Sequence, residues 1–120
     1  MLDTLIVTHG SGWCAASNGA NQYIDIDAGK PMQISGVVTQ GRGNAVSQYS
    51  TRIRVEYKLL QYGEYVRIHG HFVTSWDTVE SKFPTDVYAR YIRIRIMAWQ
   101  GHICVRAACW STRFQSTKRS

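Results

Sequence analysis

The chain has 120 residues, enough to bury one hydrophobic core and too few for two domains of ordinary size. Its apolar and aromatic content is that of a globular protein, which excludes a chain disordered throughout, and no apolar run is long enough to cross a bilayer as a helix. The formal net charge of +6 favours anionic partners.

Three segments alternate apolar and polar residues with a period of two. In residues 23–27, Ile24 and Ile26 share one face and acidic side chains occupy the other. Residues 51–57 and 90–96 repeat the pattern. Such alternation is typical of an antiparallel sheet with one solvated face. Residues 34–39 and 103–109 are more apolar, so we expect them to form central strands covered on both sides.

Breaks rich in Gly, Pro, Asn and Asp separate these segments and predict turns between the strands. They fall at residues 17–21, 28–31, 41–44, 62–63 and 83–86. No stretch has the pattern of an amphipathic helix with caps. The sequence therefore predicts an all-β, antiparallel, jelly-roll-like β-sandwich over residues 1–110, followed by a polar basic tail over residues 111–120.

Strand periodicity directs four arginines outward, namely Arg52, Arg54, Arg93 and Arg95. We expect a solvated face on which they pair with Glu56 and Asp25, and a basic strip for heparin-like glycans or nucleic acid is the alternative. Arg106 belongs to a predicted central strand, so we expect it to form a buried ion pair, with Asp27 as the candidate partner.

Signals for catalysis or metal binding are weak. Asp25 and Asp27 share a strand face, which is a common solvent-facing pattern rather than a hydrolase dyad. His69 and His71 have alternate-strand spacing, but only Asp77 offers a third ligand nearby. We therefore predict no catalytic residues, no metal site and no cofactor.

The cysteines are Cys14, Cys104 and Cys109, and none has the spacing of a structural zinc site. One disulfide with one remaining thiol and three buried thiols are both compatible with the sequence. The first residues lack a basic segment and a cleavage site, so they do not have the pattern of a signal peptide. The residues alone therefore leave the compartment open.

Several segments, taken in order, resemble the discoidin domain, also called the coagulation factor V/VIII type C domain. They are residues 12–15 (Gly-Trp-Cys-Ala), 22–31, 34–42, 89–94 and 99–106. The resemblance implies an eight-stranded sandwich like that of galactose-binding domains, with a ligand site among loops at one end. It also implies that Cys14 and Cys104 are bonded to each other.

Four segments should project at that end: residues 8–11, 16–21, 41–48 and 98–102. Their polar and aromatic side chains suit a sugar, because amides and arginine bind hydroxyl groups and an aromatic ring covers a pyranose face. The candidate ligand-binding residues are His9, Asn18, Asn21, Arg42, Asn44, Gln48, Trp99 and His102. For Arg42 the alternative is a role in bracing its loop, and for Trp99 it is packing against the core.

The resemblance predicts a non-catalytic module that binds carbohydrate, of galactose type or another glycan, in adhesion or cell-surface recognition. The alternatives are peripheral binding to anionic phospholipid and a protein-interaction module, in the extracellular matrix or as an intracellular scaffold. Only Met1 to Ser11 precede the Gly-Trp-Cys motif, so the long first loop of the family is shortened here. By resemblance, this shortening counts against membrane binding. Nucleic acid is not favoured as a partner, and no acidic loop cluster supports the structural calcium that some relatives hold. By resemblance the setting is extracellular or cell-surface.

Overall fold

A computed structural model describes residues 2–7, 13–14, 19, 22–41, 49–101 and 103–114. Within these ranges the chain forms eight strands and no helix. The strands are β1 (Leu2–Val7), β2 (Trp13–Cys14), β3 (Tyr23–Gln40), β4 (Tyr49–Lys58), β5 (Val66–Arg67), β6 (Phe72–Val73), β7 (Val79–Gln100) and β8 (Cys104–Phe114). Every pairing is antiparallel, as predicted. Accordingly, no helix long and apolar enough for a membrane span occurs among the described residues.

The period-two alternation of β3, β4 and β7 builds an apolar ladder across three neighbouring strands. Ile24 lies opposite Ile94, which in turn lies opposite Val55, so their side chains share the inner face. Ile94 and Val55 have no solvent exposure, and Ile24 packs on the core at its margin. Burying an aliphatic side chain of this size stabilises the fold by roughly 1.5–3 kcal/mol. The predicted inward faces of these strands are therefore confirmed.

Two of the predicted breaks are wrong, because β3 and β7 pass through residues 28–31 and 83–86 without a turn. Between the pairs Asp27–Tyr91 and Met32–Ala89, β3 carries three more residues than β7. Past Ile34 the excess reverses, and residues 83–86 of β7 supply the extra length. The two irregularities offset each other, so the ladder resumes in both strands. Glycine and proline here mark bulges rather than chain reversals.

These irregularities divide the long strands between two layers. The first part of β3 pairs with the second part of β7, whose other neighbour is β4. The remainder of β3 pairs with β8 and with the first residues of β7. Strands β4 and β8 contact each other without a shared hydrogen-bond ladder, as expected for facing sheets. The predicted antiparallel sandwich is confirmed.

One core fills the space between the layers. It combines side chains of the β4 layer, such as Ile53 and Ile96, with Val37, Val105 and Ala107 of the β8 layer. Phe72 and Phe83 also belong to this core, and their rings make an edge-to-face contact with 6.1 Å between the ring centroids. Residues 34–37 of β3 are all buried, which agrees with the prediction of a central strand.

In β8 the prediction for Arg106 is wrong, and the strand is longer than predicted. Arg106 is exposed rather than buried, and Asp27 pairs with Arg90 instead. Although its neighbours Val105 and Ala107 face the core, the alternation of the strand turns the Arg106 side chain to solvent. The strand also continues to Phe114 by pairing with β1, four residues into the stretch predicted as a tail, while residues 115–120 lie outside the described part.

The cysteines of β8 differ from each other. Cys109 is a buried thiol, and burial raises its pKa to about 11 because the thiolate is poorly solvated there. Cys104 is disulfide-bonded. The backbone of Cys14 in β2 lies directly opposite Cys104 in the antiparallel register.

Candidate functional site

Most of the predicted ligand-binding residues lie outside the described residues. They are His9, Asn18, Asn21, Arg42, Asn44, Gln48 and His102. Trp99 is described, and it packs half-buried against the core. What the structure does show is the framework at the base of the loops: Gly41 precedes residues 42–48, and Tyr49 follows them directly opposite Gln100. We call the residues Gly41, Tyr49, Trp76, Trp99 and Gln100 the loop end.

The segment between β6 and β7 also reaches the loop end, which the sequence did not indicate. The Gly41 N–H donates a hydrogen bond to the Trp76 carbonyl oxygen at 3.0 Å. A Cβ atom added to Gly41 would lie 2.8 Å from both the Trp76 Cα and the Tyr49 Cβ. Such separations are shorter than van der Waals contact, so glycine is required for this approach. The three residues therefore meet because position 41 has no side chain.

Further hydrogen bonds hold the Trp76 segment in place. The Thr74 N–H donates to the Thr51 carbonyl oxygen at 2.9 Å, and the Thr74 hydroxyl shares a buried 3.0 Å hydrogen bond with the Ser50 hydroxyl. On the far side of the tryptophan, the Asp77 carboxylate accepts from the Thr78 N–H at 2.8 Å. Trp76 remains 46% exposed. A fixed segment thus presents an aromatic ring to solvent, next to the start of the loop that carries Arg42.

Sequence reasoning missed Trp76 and Tyr49. Trp76 stands in a Ser-Trp-Asp-Thr run with no periodicity, within a segment that diverges from the discoidin pattern. The one available signal was a tryptophan in a polar turn, which has no obvious place in a core. Its position beside Gly41 depends on the tertiary fold.

The outer face, meaning the solvent side of β3, β4 and β7, carries charged side chains in closed pairs. Arg93 donates two hydrogen bonds to Asp25, at 2.8 and 3.0 Å, and Arg90 makes a similar pair with Asp27. The Glu56 carboxylate, with 8% side-chain exposure, accepts from both Arg54 and Arg95. The predicted solvated face with Asp25 and Glu56 as acidic partners is confirmed for Arg54, Arg93 and Arg95.

Aromatic rings complete the outer face. The Arg93 guanidinium lies 3.9 Å from the centroid of Tyr23 and 4.2 Å from that of Tyr65. Such cation–π contacts hold the guanidinium and the two rings in position, and they occupy one face of each ring. Burial and then the Asp25 charge raise the pKa of Tyr65 to about 12, since both disfavour the phenolate. The rings here are engaged within the protein.

Metal ligation finds no support in the part of the chain that the structure describes. His69 and His71 are exposed, and no three His, Cys, Asp or Glu side chains among the described residues come together in a group that could hold a metal ion. Asp77, the third ligand considered from sequence, uses its carboxylate to order its own turn.

The fold agrees with the comparison to known families. A sequence model of the F5/8 type C domain matches residues 3–109. The chain belongs to this family. Its members are non-catalytic binding modules, so the domain is a binding module and not an enzyme. This confirms the predicted resemblance.

Individual relatives are similar over most of the chain. A discoidin-1 protein of Dictyostelium discoideum is 32% identical over 111 residues, which cover 88% of this chain and 43% of that protein. The chain thus spans less than half the length of this relative. Among solved structures, discoidin II of D. discoideum matches with a TM-score of 0.71 and 22% identity, covering 84% of this chain and 41% of that one.

A second solved structure is the CBM32 of AlyQ in complex with 4,5-unsaturated mannuronic acid. It matches with a TM-score of 0.63 and 18% identity, and the match covers 89% of this chain and 92% of that one. At these identities both structures show a shared fold, which confirms the galactose-binding-like architecture.

Proposed function

We propose that the domain binds carbohydrate at the loop end, with Trp76 as the aromatic platform for a sugar ring. The observation that carries the proposal is the exposed indole of Trp76, held in place by the hydrogen bond from Gly41. A sugar presents a face of C–H groups that packs on an aromatic ring, while its hydroxyl groups bind polar side chains around the rim. Tyr49 and Trp99 add aromatic surface at the same end.

The predicted polar residues supply the rim in this proposal. Arg42 follows Gly41 directly, so its loop begins beside Trp76. Arg42, Asn44 and Gln48 would bind hydroxyl groups, as would His102, which follows β7 by two residues in the sequence. His9, Asn18 and Asn21 complete the proposed set. The uronate bound by the similarly folded CBM32 of AlyQ supports a sugar as ligand.

The setting that we propose is extracellular or cell-surface. The disulfide at Cys104 supports it, because disulfides persist in oxidising compartments and are rare in the cytosol. Cys14 is the proposed partner, since antiparallel register places its backbone opposite Cys104 and directly opposed residues lie within the Cα separation that a disulfide spans. A role in adhesion or recognition at surfaces follows from this setting.

Anionic phospholipid is a second candidate ligand. The observation that favours it is a pair of exposed apolar side chains, Trp76 at the loop end and Val73 in β6, of which Val73 is 67% exposed. Apolar groups of this kind enter the interfacial region of a bilayer, and the positive charge of the chain would assist on an anionic surface. The two candidates can be distinguished, because a sugar would bind in free solution whereas a phospholipid would bind as part of a bilayer.

A glycan array with wild type and Trp76→Ala tests the proposal. Loss of the indole contact should weaken binding about tenfold, because a buried aromatic face contributes on the order of 1–2 kcal/mol. Tyr62→Ala is the matched control, since Tyr62 is 78% exposed in the turn after β4 and outside the loop end. No array signal for folded wild-type protein would contradict the proposal, and binding to phosphatidylserine vesicles that requires Trp76 would favour the second candidate.

A further inference from the structure

Three arginines, two of them without an acidic partner among the described residues, gather at one place beside the outer face, which we call the basic pocket. It is lined by Arg52, Arg54, Arg67, His71, Phe72 and Met97 among others, and it has a volume of about 150 Å³. The pocket lies where β5 and β6 pair with β4. Three arginines and a histidine thus line the pocket together with the apolar Phe72 and Met97, and no carboxylate is among the described lining residues.

The charge of Arg67 is available to a ligand because the Glu56 carboxylate binds other arginines. Arg67 lies directly opposite Glu56 in the β4–β5 register, where an ion pair would be expected. The Glu56 carboxylate instead accepts from Arg54 and Arg95, at 3.2 and 3.0 Å. Arg67 is exposed and lines the pocket. The ion pairs of the outer face therefore leave its edge with an excess of positive charge.

Arg52 also lacks a carboxylate partner among the described residues, unlike the other outward arginines. Arg54, Arg93 and Arg95 each bind a carboxylate, whereas Arg52 is exposed and makes no ion pair with a described residue. Residues two apart in a strand stand about 6–7 Å apart on one face, so Arg52 lies next to the Arg54–Glu56 pair along β4 and adds a charge that the pair does not neutralise. Arg52 and Arg67 are therefore the two arginines available to the anionic groups of a polymer.

We infer that the basic pocket binds a sulfate or carboxylate group of an acidic polysaccharide. The volume is small compared with that of sites for whole drug-sized ligands, which fits one charged group and part of one sugar ring. Guanidinium groups bind oxyanions through paired N–H donors, and the half-buried Met97 offers apolar contact to the ring that carries the anion. The inference rests on the proposed function only in taking the polymer to be a glycan.

The location favours a polysaccharide over a membrane. The lining residues belong mainly to the neighbouring strands β4, β5 and β6, so the pocket lies beside a strand face, whereas a bilayer that met the loop end would approach Trp76 instead. Arg52 lies three residues beyond Tyr49 in β4, a distance of about 10 Å along the strand. A short oligosaccharide can span that distance, so one chain can occupy the basic pocket and the loop end together.

Binding to three polymers with the same backbone tests the inference: dextran, carboxymethyl dextran and dextran sulfate. We expect no binding of dextran at the pocket, and the response to the other two identifies carboxylate or sulfate as the preferred group. In Arg52→Gln/Arg67→Gln, affinity for the preferred polymer should fall about tenfold or more, since each charge-assisted hydrogen bond that is lost weakens binding substantially. Lys30→Gln/Lys82→Gln is the matched control, with the same change in net charge at two exposed residues outside the pocket.

The results separate this inference from the proposed function. Retention of pocket-dependent binding in Trp76→Ala supports the basic pocket whether or not the array shows a ligand for the loop end. Equal losses in the two double variants would overturn the inference, because a general effect of charge would then explain the binding. The inference would also be overturned if Arg52→Gln/Arg67→Gln lost as much affinity for single-stranded DNA or for phosphatidylserine vesicles as it loses for the preferred polymer. The single variants Arg52→Gln and Arg67→Gln provide a second measurement if the double variant unfolds early in urea.

Discussion

Aromatic side chains are used differently on the outer face and at the loop end. On the outer face, Tyr23 and Tyr65 stack on the Arg93 guanidinium, which is itself bound to Asp25. At the loop end, Trp76 is 46% exposed on a segment that backbone hydrogen bonds hold in place. An aromatic ring already covered by a cation contributes to the fold, whereas a ring held open to solvent is available to a ligand. The cation over the ring, rather than residue type or exposure, distinguishes the two regions, since Tyr23 is 42% exposed.

The two regions also differ in the interactions that hold them. Ion pairs such as those of Glu56 connect the strands of the outer face, and they are partly exposed and weakened by salt. Near the loop end, the disulfide at Cys104 is a covalent link that salt does not affect. This difference predicts separate responses to reduction and to charge removal.

The largest expected effect is that of removing the proposed Cys14–Cys104 bridge. Cys14→Ser/Cys104→Ser should lower the free energy of unfolding by about 3–5 kcal/mol, because the bridge closes most of the chain into a loop. Urea unfolding measures the loss. Thiol titration of denatured protein should find one thiol without reductant and all three after reduction. Cys109→Ala, as a control, should leave none before reduction, and three thiols in unreduced wild type would contradict the bridge.

A smaller effect is expected from Glu56→Gln on the outer face. Two arginines lose their anionic partner in a site with 8% exposure, so the free energy of unfolding should fall by about 1–3 kcal/mol. Binding of an uncharged glycan at the loop end should be unchanged, because the residue is not part of the loop end. The exposed Glu80 is the control, and Glu80→Gln should change stability by less than about 0.5 kcal/mol. If the two variants were equally stable, the ion pairs would not hold the outer face.

The last expected effect, that of Gly41→Ala, combines stability with binding. The new methyl group would press on Tyr49 and on the backbone of Trp76, at a cost of about 1–3 kcal/mol in stability. Displacement of the indole should reduce glycan affinity several-fold by calorimetry. Gly19→Ala, where no atom of a described residue lies within 4 Å of the added methyl group, should change the free energy of unfolding little. Full affinity in Gly41→Ala would show that the position of Trp76 does not matter.

Periodicity predicted much of the fold because an inward face must be apolar and an outward face polar. Ile53 and Val55 face the core as expected, and Arg54 faces solvent between them. The breaks at residues 28–31 and 83–86 were misread because glycine and proline occur in bulges as well as in turns. Only the pairing of β3 with β7 shows that the two irregularities offset each other.

The site was less accessible to prediction than the fold. Trp99 was predicted as either ligand-binding or core, and the structure shows it half-buried against the core. The other predicted ligand-binding residues, Arg42 among them, stay predictions. Trp76 was missed because its proximity to Gly41 comes from strands that are distant in sequence.

The amino-acid sequence by itself determined the family, the antiparallel sandwich and the outward direction of the strand arginines, since motif order and side-chain alternation are local properties. Only the tertiary structure decided which arginines have a carboxylate partner: Glu56 binds Arg54 and Arg95 and leaves Arg67 to the basic pocket. It also decided that Trp76 lies at the loop end. Both depend on which strands become neighbours, and that choice is made by packing of the whole core rather than by any one segment.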